Sequence, residues 1–310
     1  MLSLQPATRP TIYFIGVTTG SSSIMRVFPK WAEALGLDAE IKGIDFAPHS
    51  PAADYREAVS FIKNDPLSLG ALVTTHKIDL YNACRDLFDY LDPYAVQLGE
   101  ISCISKQGEK LCGHAKDPIS SGLALQRFVP ENFWAEHNGE VLLLGAGGAS
   151  LAMTLYFCKN AGDDIPRKIT IANRSQARLD SAREILSGLN DKIEMEFILN
   201  PTAEDNDKTL KAMSDYSLVV NGTGLGKDAP GSPITDAASF PKGSLVWEIN
   251  YRGNLVFMDQ AKAQEAAKEL VIEDGWIYFI HGWTQVVAEV FHIDDIASKI
   301  DDLSVIARNA

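Results

Sequence analysis

Val141-Leu142-Leu143-Leu144-Gly145-Ala146-Gly147-Gly148-Ala149-Ser150-Leu151-Ala152-Met153-Thr154-Leu155 decides the fold. Four consecutive apolar residues read as a strand, the glycines as a tight turn, and the residues after Ser150 as a helix. Glycine at such a turn lets backbone N–H groups come close to a pyrophosphate, and the positive end of the following helix favours its charge. Gly145, Ala146, Gly147, Gly148 and Ala149 are therefore the candidate phosphate cradle. The spelling departs from G-x-G-x-x-G at the third glycine, where Ser150 stands. A glycine turn after a strand can be merely structural, but strand, turn and helix in this order favour nucleotide or dinucleotide binding.

Working outward, the next apolar run, Lys168 to Ala172, ends in Asn173-Arg174-Ser175, with Arg178 one turn further on. That strand end should lie beside the adenosine ribose. An NAD site would place Asp or Glu there to accept from the 2′-hydroxyl, whereas Asn173, Arg174, Ser175 and Arg178 offer donors to a 2′-phosphate. NADP is the expected coenzyme, with NAD as the alternative. The same residues disfavour an S-adenosylmethionine methyltransferase, and the bland alternative is a solvated helix start. Asn221-Gly222-Thr223-Gly224 repeats the strand-into-turn form where the nicotinamide half should pass, so Asn221 and Thr223 join the candidate set.

Further strands are expected at Ile193 to Leu199, Ser217 to Val220, Ser244 to Ile249 and Leu270 to Ile272, and in the first half at Ile12 to Gly16, Ile41 to Phe46 and Ala71 to Val73. Helical stretches alternate with them, including Ile24 to Leu35 and Pro118 to Phe128. This alternation builds a parallel sheet with helices on its faces. The class is α/β: an amino-terminal α/β lobe over residues 1–129, completed by carboxyl-terminal helices within 283–310, and a doubly wound dinucleotide lobe over 130–282. Pro130 to Gly139 is the expected seam.

With 310 residues, 46% of them hydrophobic, the chain can bury two cores. Its net charge of -13 argues against a sequence-independent grip on nucleic acid or an anionic membrane, so an anionic ligand needs a local basic or helix-end site. The apolar runs are too short to span a bilayer, Met1 to Pro10 lacks a signal-peptide core, and a cytoplasmic protein is expected. Cys84, Cys103, Cys112 and Cys158 form no CxxC pair or Cys/His spacing, which suits reduced thiols and no structural metal. The expected partner is a small-molecule substrate, on a monomer or homodimer.

Interconversion of an alcohol and a ketone needs a group that takes the hydroxyl proton as hydride leaves, and a lysine oriented by a carboxylate can do this. Thr74-Thr75-His76-Lys77 and Gly113-His114-Ala115-Lys116-Asp117 offer such groups at strand ends. Alone, each also reads as solvated side chains or, for Asp117 before Pro118, as a helix N-cap.

Taken in order, these segments make the chain resemble the shikimate dehydrogenases and their quinate-oxidising relatives over most of its length. The resemblance rests on Gly16 with Ser21, Ser22 and Ser23, on Val73-Thr74 with Lys77, on Asp117 with Gly122, on the Gly145 turn, on Asn173-Arg174-Ser175, on Asn221-Gly222-Thr223, and on Tyr251 and Gln285. It implies a substrate-binding amino-terminal lobe and an NADP-binding Rossmann lobe. It also implies that Lys77 is the catalytic base or acid, that Asp117 pairs with it and holds a substrate hydroxyl, and that Ser21, Ser22, Ser23, Thr74, Ser102, Tyr251 and Gln285 bind substrate.

The departures are specific. The family's S-x-S-Pro is Ser21-Ser22-Ser23-Ile24, its N-V-T-x-P-x-K is Leu72-Val73-Thr74-Thr75-His76-Lys77, and where it has Asn-Thr after Ala-Val this chain has Glu100-Ile101-Ser102-Cys103. Glu248 replaces an Asp, and Tyr278 to Trp283 reads as an insertion. A site that recognises hydroxyls through hydrogen bonds discriminates strongly by them, so these replacements imply an altered cyclic polyol acid or cyclitol as substrate. The rivals are an NAD-dependent quinate-type or cyclitol dehydrogenase, a catalytically inactive dinucleotide sensor, and another Rossmann reductase with an unrelated first lobe.

Overall fold

A computed structural model describes residues 4–159, 162–227 and 229–310, so positions 1–3 of the amino-terminal stretch lie outside it. The chain divides into two compact units, one formed by Met1–Lys116 with Ile280–Ala310, the other by Asp117–Phe279.

Unit one contains β1 (Thr11–Gly16), α1 (Ile24–Leu35), β2 (Glu40–Asp45), α2 (Ala52–Asn64), β3 (Ser68–Val73), α3 (Lys77–Cys84), β4 (Tyr90–Leu91), α4 (Pro93–Leu98), β5 (Cys103–Gln107) and β6 (Lys110–His114). Its sheet runs β2-β1-β3-β5-β6-β4. The β1, β2 and β3 strands are parallel, as the alternation of strands with helices predicts, but β5 is antiparallel to both β3 and β6. The β5–β6 hairpin is absent from the sequence expectation because its turn region, Lys106 to Lys110, is polar and interrupts any apolar run. The core gathers Ile15, Val73, Tyr55, Ile62, Leu80 and Ile104.

Unit two begins with α5 (Asp117–Phe128) and α6 (Phe133–His137). It continues through β7 (Glu140–Leu144), α7 (Gly148–Lys159), β8 (Lys168–Asn173), α8 (Gln176–Leu186), β9 (Glu194–Leu199), α9 (Ala203–Lys211), β10 (Leu218–Asn221), β11 (Leu245–Glu248), α10 (Val256–Lys262), α11 (Glu265–Lys268) and β12 (Val271–Glu273). The six strands are all parallel in the order β12-β11-β10-β7-β8-β9. This is the doubly wound Rossmann order, whose direction reverses between β7 and β10, and ligands bind beyond the carboxyl ends of strands at such a point. Gly122 lets α5 lie directly on the Tyr156 ring of α7, where a Cβ would collide with the ring. The Pro130 to Gly139 stretch holds α6, with Phe133 and Trp134 buried, inside unit two.

The carboxyl-terminal helices are α12 (Trp276–Phe291) and α13 (Ile300–Arg308). The Tyr278 to Trp283 stretch lies within the continuous α12, whose Ile280, Trp283, Thr284 and Val287 are buried at helical spacing. In unit one Trp283 meets Phe14 edge-on at 5.0 Å, and the Trp31 indole N–H donates to the Leu303 carbonyl at 2.8 Å. No helix among the described residues is long and apolar enough to cross a membrane.

Candidate functional site

The carboxyl ends of β7, β8, β9 and β10 enclose a cavity of about 600 Å³ in unit two. Gly145 leaves β7 with φ +107°, and its N–H donates to the Ala172 carbonyl at 2.8 Å. A Cβ on Gly145 would stand 2.9 Å from the Gly222 carbonyl oxygen, so both the conformation and the approach of the β10 turn require its absence. Ser150, at the departed third-glycine position, is fully buried. A Cβ on Gly222 would come 2.9 Å from the Ser150 Oγ. The small residue that lets helix and turn pack closely is therefore supplied partly from β10, which explains how the fingerprint tolerates serine.

At the end of β8, the Asn173 Oδ1 accepts from the Ser175 N–H at 3.0 Å, and the Ser175 Oγ caps α8 by accepting from the Arg178 N–H at 3.4 Å. Arg174 and Arg178 are exposed beside the cavity, and neither has a carboxylate partner among the described residues. Gly145, Ala146, Gly147, Asn173, Arg174, Ser175, Arg178 and Thr223 all line this one space. Gly148 and Ala149 instead open α7, so their N–H groups belong to the helix end behind the turn.

Asn221 also lies off the lining and is fully buried. Its Oδ1 accepts from the Thr223 hydroxyl at 2.7 Å, and its Nδ2 donates to the Glu248 carboxylate at 2.7 Å. Glu248 accepts in addition from the Asn250 N–H at 3.0 Å and the Asn250 side chain at 2.7 Å. Burial pushes the Glu248 carboxyl above its ordinary value, against the lowering effect of these hydrogen bonds. Asn221 thus braces the turn from beneath. The sequence expectation missed Asn200, Thr202 and Asn206, which line the outer end of the cavity beyond β9. The signal for them was the Thr202 N-cap before Glu204 and Asp205.

In unit one, β3 delivers Thr74 into a one-residue reversal: the His76 N–H returns to the Thr74 carbonyl, and Thr75 takes φ +57°. A β-branched residue with positive φ is a local strain of the kind that clusters at functional sites. Lys77 follows at once as the first residue of α3, half-buried, its carbonyl accepting from the Ile101 N–H at 3.1 Å. His76, an open catalytic candidate from sequence, is fully buried with its Nδ1 2.9 Å from the Tyr55 hydroxyl, so it belongs to the core.

The three serines differ. The exposed Ser21 Oγ donates to the Thr18 carbonyl at 2.9 Å, Ser22 is half-buried, and the Ser23 Oγ is buried with no hydrogen-bond partner among the described residues. Ser102 is buried, its Oγ accepting from the Lys116 N–H at 2.8 Å and donating to the His114 carbonyl at 3.4 Å. That hydroxyl secures the main chain ahead of α5. Gln285 is half-buried on the unit-one part of α12. In unit two, Asp117 starts α5 half-buried, and the Tyr251 ring packs on Phe279 at 4.4 Å. His114 and Lys116 both reach Glu289, at 3.4 and 2.5 Å. No cluster of three or more His, Cys, Asp or Glu side chains among the described residues is placed to hold a metal.

The cavity fits a dinucleotide: a turn without a Cβ at its tightest point, a helix amino terminus behind it, and two guanidinium groups at the neighbouring strand end. No family model matches the chain. A shikimate dehydrogenase (NADP(+)) of Bacillus cereus (strain AH820) is 28% identical over 228 residues, 73% of each chain. Among solved structures, the shikimate 5-dehydrogenase of Thermus thermophilus, in complex with NADP(H) and shikimate, covers 96% of this chain and 99% of its own with a TM-score of 0.70 at 19% identity. The quinate dehydrogenase of Corynebacterium glutamicum, in complex with NAD, covers the same shares with a TM-score of 0.72 at 17% identity.

Proposed function

We propose that this chain, a relative of the shikimate dehydrogenases in sequence and fold, is an NADP-dependent oxidoreductase that moves hydride reversibly between a ring hydroxyl and ketone of shikimate or a related cyclic polyol acid. The observation that carries this is the shared cavity onto which the Gly145 turn, Arg174 and Arg178 all open, the two arginines without a carboxylate partner among the described residues. The bound coenzyme supplies the nicotinamide ring that takes or gives hydride. The N–H groups of the Gly145 to Gly147 turn and of the start of α7 hold its pyrophosphate. Arg174 and Arg178, with Ser175, hold the 2′-phosphate through charge-assisted hydrogen bonds.

Lys77 takes the hydroxyl proton through its Nζ in the oxidative direction and returns it in reduction, and Asp117 orients that ammonium and the substrate hydroxyl. The strained turn at Thr75 limits where the first residue of α3 can point. Ser21, Ser22, Ser23, Thr74, Tyr251 and Gln285 remain the substrate-binding set. Ser102 acts through the main chain it secures. The substrate is a small molecule, and a cytoplasmic monomer or homodimer is the accompanying expectation.

Reduction of NADP and of NAD, followed by absorbance with shikimate, quinate and cyclitols, tests the reading. Turnover with NADP and one cyclic acid is expected. NAD-dependent turnover of quinate alone would favour the quinate-type alternative, and tight coenzyme binding without turnover of any substrate would favour a sensor. Lys77→Met should lower kcat by about 10²–10⁴-fold with NADP affinity unchanged, the scale of a lost general base. Retained turnover would remove Lys77 from the chemistry.

A further inference from the structure

From the outer end of the cavity we infer that Asn200 reads the adenine base of the dinucleotide, accepting a hydrogen bond from its exocyclic amino group. The inference rests on the dinucleotide reading above and adds to it a base selectivity.

The amide orientation of Asn200 is determined by its surroundings. Asn206 donates its Nδ2 to the Pro233 carbonyl at 2.8 Å, so its Oδ1 is the atom left to face Asn200, and that oxygen can only accept. The Thr209 hydroxyl donates to the Asp205 carbonyl at 3.2 Å, so it too meets Asn200 as an acceptor. Asn200 answers both with its Nδ2, at 2.9 Å each. A side-chain amide has one nitrogen carrying two hydrogens and one oxygen. With both hydrogens committed, the polar group that Asn200 has left to offer the cavity it lines is Oδ1, which accepts no hydrogen bond among the described residues. The residue is only 6% exposed, so the acceptor is fixed rather than mobile.

Its position follows from the sheet. Asn173 pairs with Leu199 in the β8–β9 register, and the Asn200 N–H donates to the Asn173 carbonyl at 2.9 Å. With the pyrophosphate over β7 and the ribose over β8, the base extends one further strand spacing, about 4.8 Å, over the end of β9. Adenine presents its amino group as its one N–H donor, whereas hypoxanthine presents a carbonyl oxygen there. Opposite an oxygen that cannot rotate away, hypoxanthine loses a bond and sets two acceptors against each other.

Titration calorimetry of the full chain with NADP and with nicotinamide hypoxanthine dinucleotide phosphate tests this without any variant. The hypoxanthine coenzyme should bind about tenfold more weakly, the scale of one lost hydrogen bond with an unsatisfied partner. Equal affinities would overturn the inference while leaving dinucleotide binding intact, and failure of both to bind would remove the parent reading and this one together. In Asn200→Ala the ratio of the two affinities should collapse towards one. A ratio that persists in the variant would assign the selectivity elsewhere and overturn the role of Asn200, whereas a merely structural contribution would weaken both ligands alike.

Discussion

Arg174 and Arg178 stand in solvent beside the β8 end, so an arriving phosphate meets two guanidinium groups that need not first release a carboxylate among the described residues. Their planar donor forks match phosphate oxygens, and in the proposed function they receive the 2′-phosphate that distinguishes NADP from NAD. Arg174→Ala is accordingly expected to weaken NADP by about tenfold or more and NAD by no more than about threefold, on the scale of one charge-assisted hydrogen bond. Parallel binding titrations of the two coenzymes measure this, and equal losses would place Arg174 outside the phosphate site. Residue by residue, the sequence disclosed groups whose role is local. Gly145 announces a turn by type and spacing, whereas the cap that Ser175 places on α8 is a finding of the structure. Asn200 was silent because its meaning arises from Asn206 and Thr209, which dictate which end of its amide faces the cavity. Lys77 and Asp117 are ordinary polar residues at strand ends, and only the ordered family pattern singled them out.

Between elements, β6, the main chain just beyond it and α12 are tied by charges in unit one. Glu289 on α12 accepts from the Lys116 ammonium at 2.5 Å and lies 3.4 Å from His114, whose other ring nitrogen is 3.6 Å from Asp92. Burial acts to raise the Glu289 carboxyl, but the hydrogen bond and charge of Lys116, with His114 and His292, outweigh it and hold the group below its ordinary value. A carboxyl depressed in the fold contributes stability that is complete above its unfolded value near 4.5 and disappears as pH falls through the folded value. Glu289→Gln should therefore cost about 2 kcal/mol at pH 7, the worth of a charge-assisted bond, and progressively less as pH falls below 4.5 and through the folded value. Denaturant unfolding of both proteins across this range measures the difference, and a pH-independent gap would show that packing, not charge, makes this link. At this scale the central parallel strands β1, β7 and β10 were legible because burial on both faces leaves continuous apolar runs. The β5–β6 hairpin and the first half of α12 were not, the one because its polar turn breaks the apolar pattern, the other because its aromatic residues imitate no single period.

The whole chain opposes the ligand its cavity is shaped for. Acidic residues outnumber basic ones by 41 to 28, giving -13, and the coenzyme is itself multiply anionic. The described lining of the cavity carries Arg174 and Arg178 and no Asp or Glu, so attraction is confined to a few ångströms while repulsion extends over the molecule. Salt separates the two ranges, because the screening length falls from about 30 Å at 0.01 M to about 10 Å at 0.1 M, leaving contacts at hydrogen-bond distance comparatively intact. Added salt over this interval should therefore raise the association rate of NADP by removing long-range repulsion, while the arginine contacts express themselves mainly in dissociation. Stopped-flow binding at several ionic strengths reads both rates. The association rate of Arg174→Ala should follow the same upward salt dependence as the parent chain, with a faster dissociation. A parent association rate that instead falls as salt is added would mean that the two arginines project their field beyond the cavity and steer the coenzyme in against the net charge.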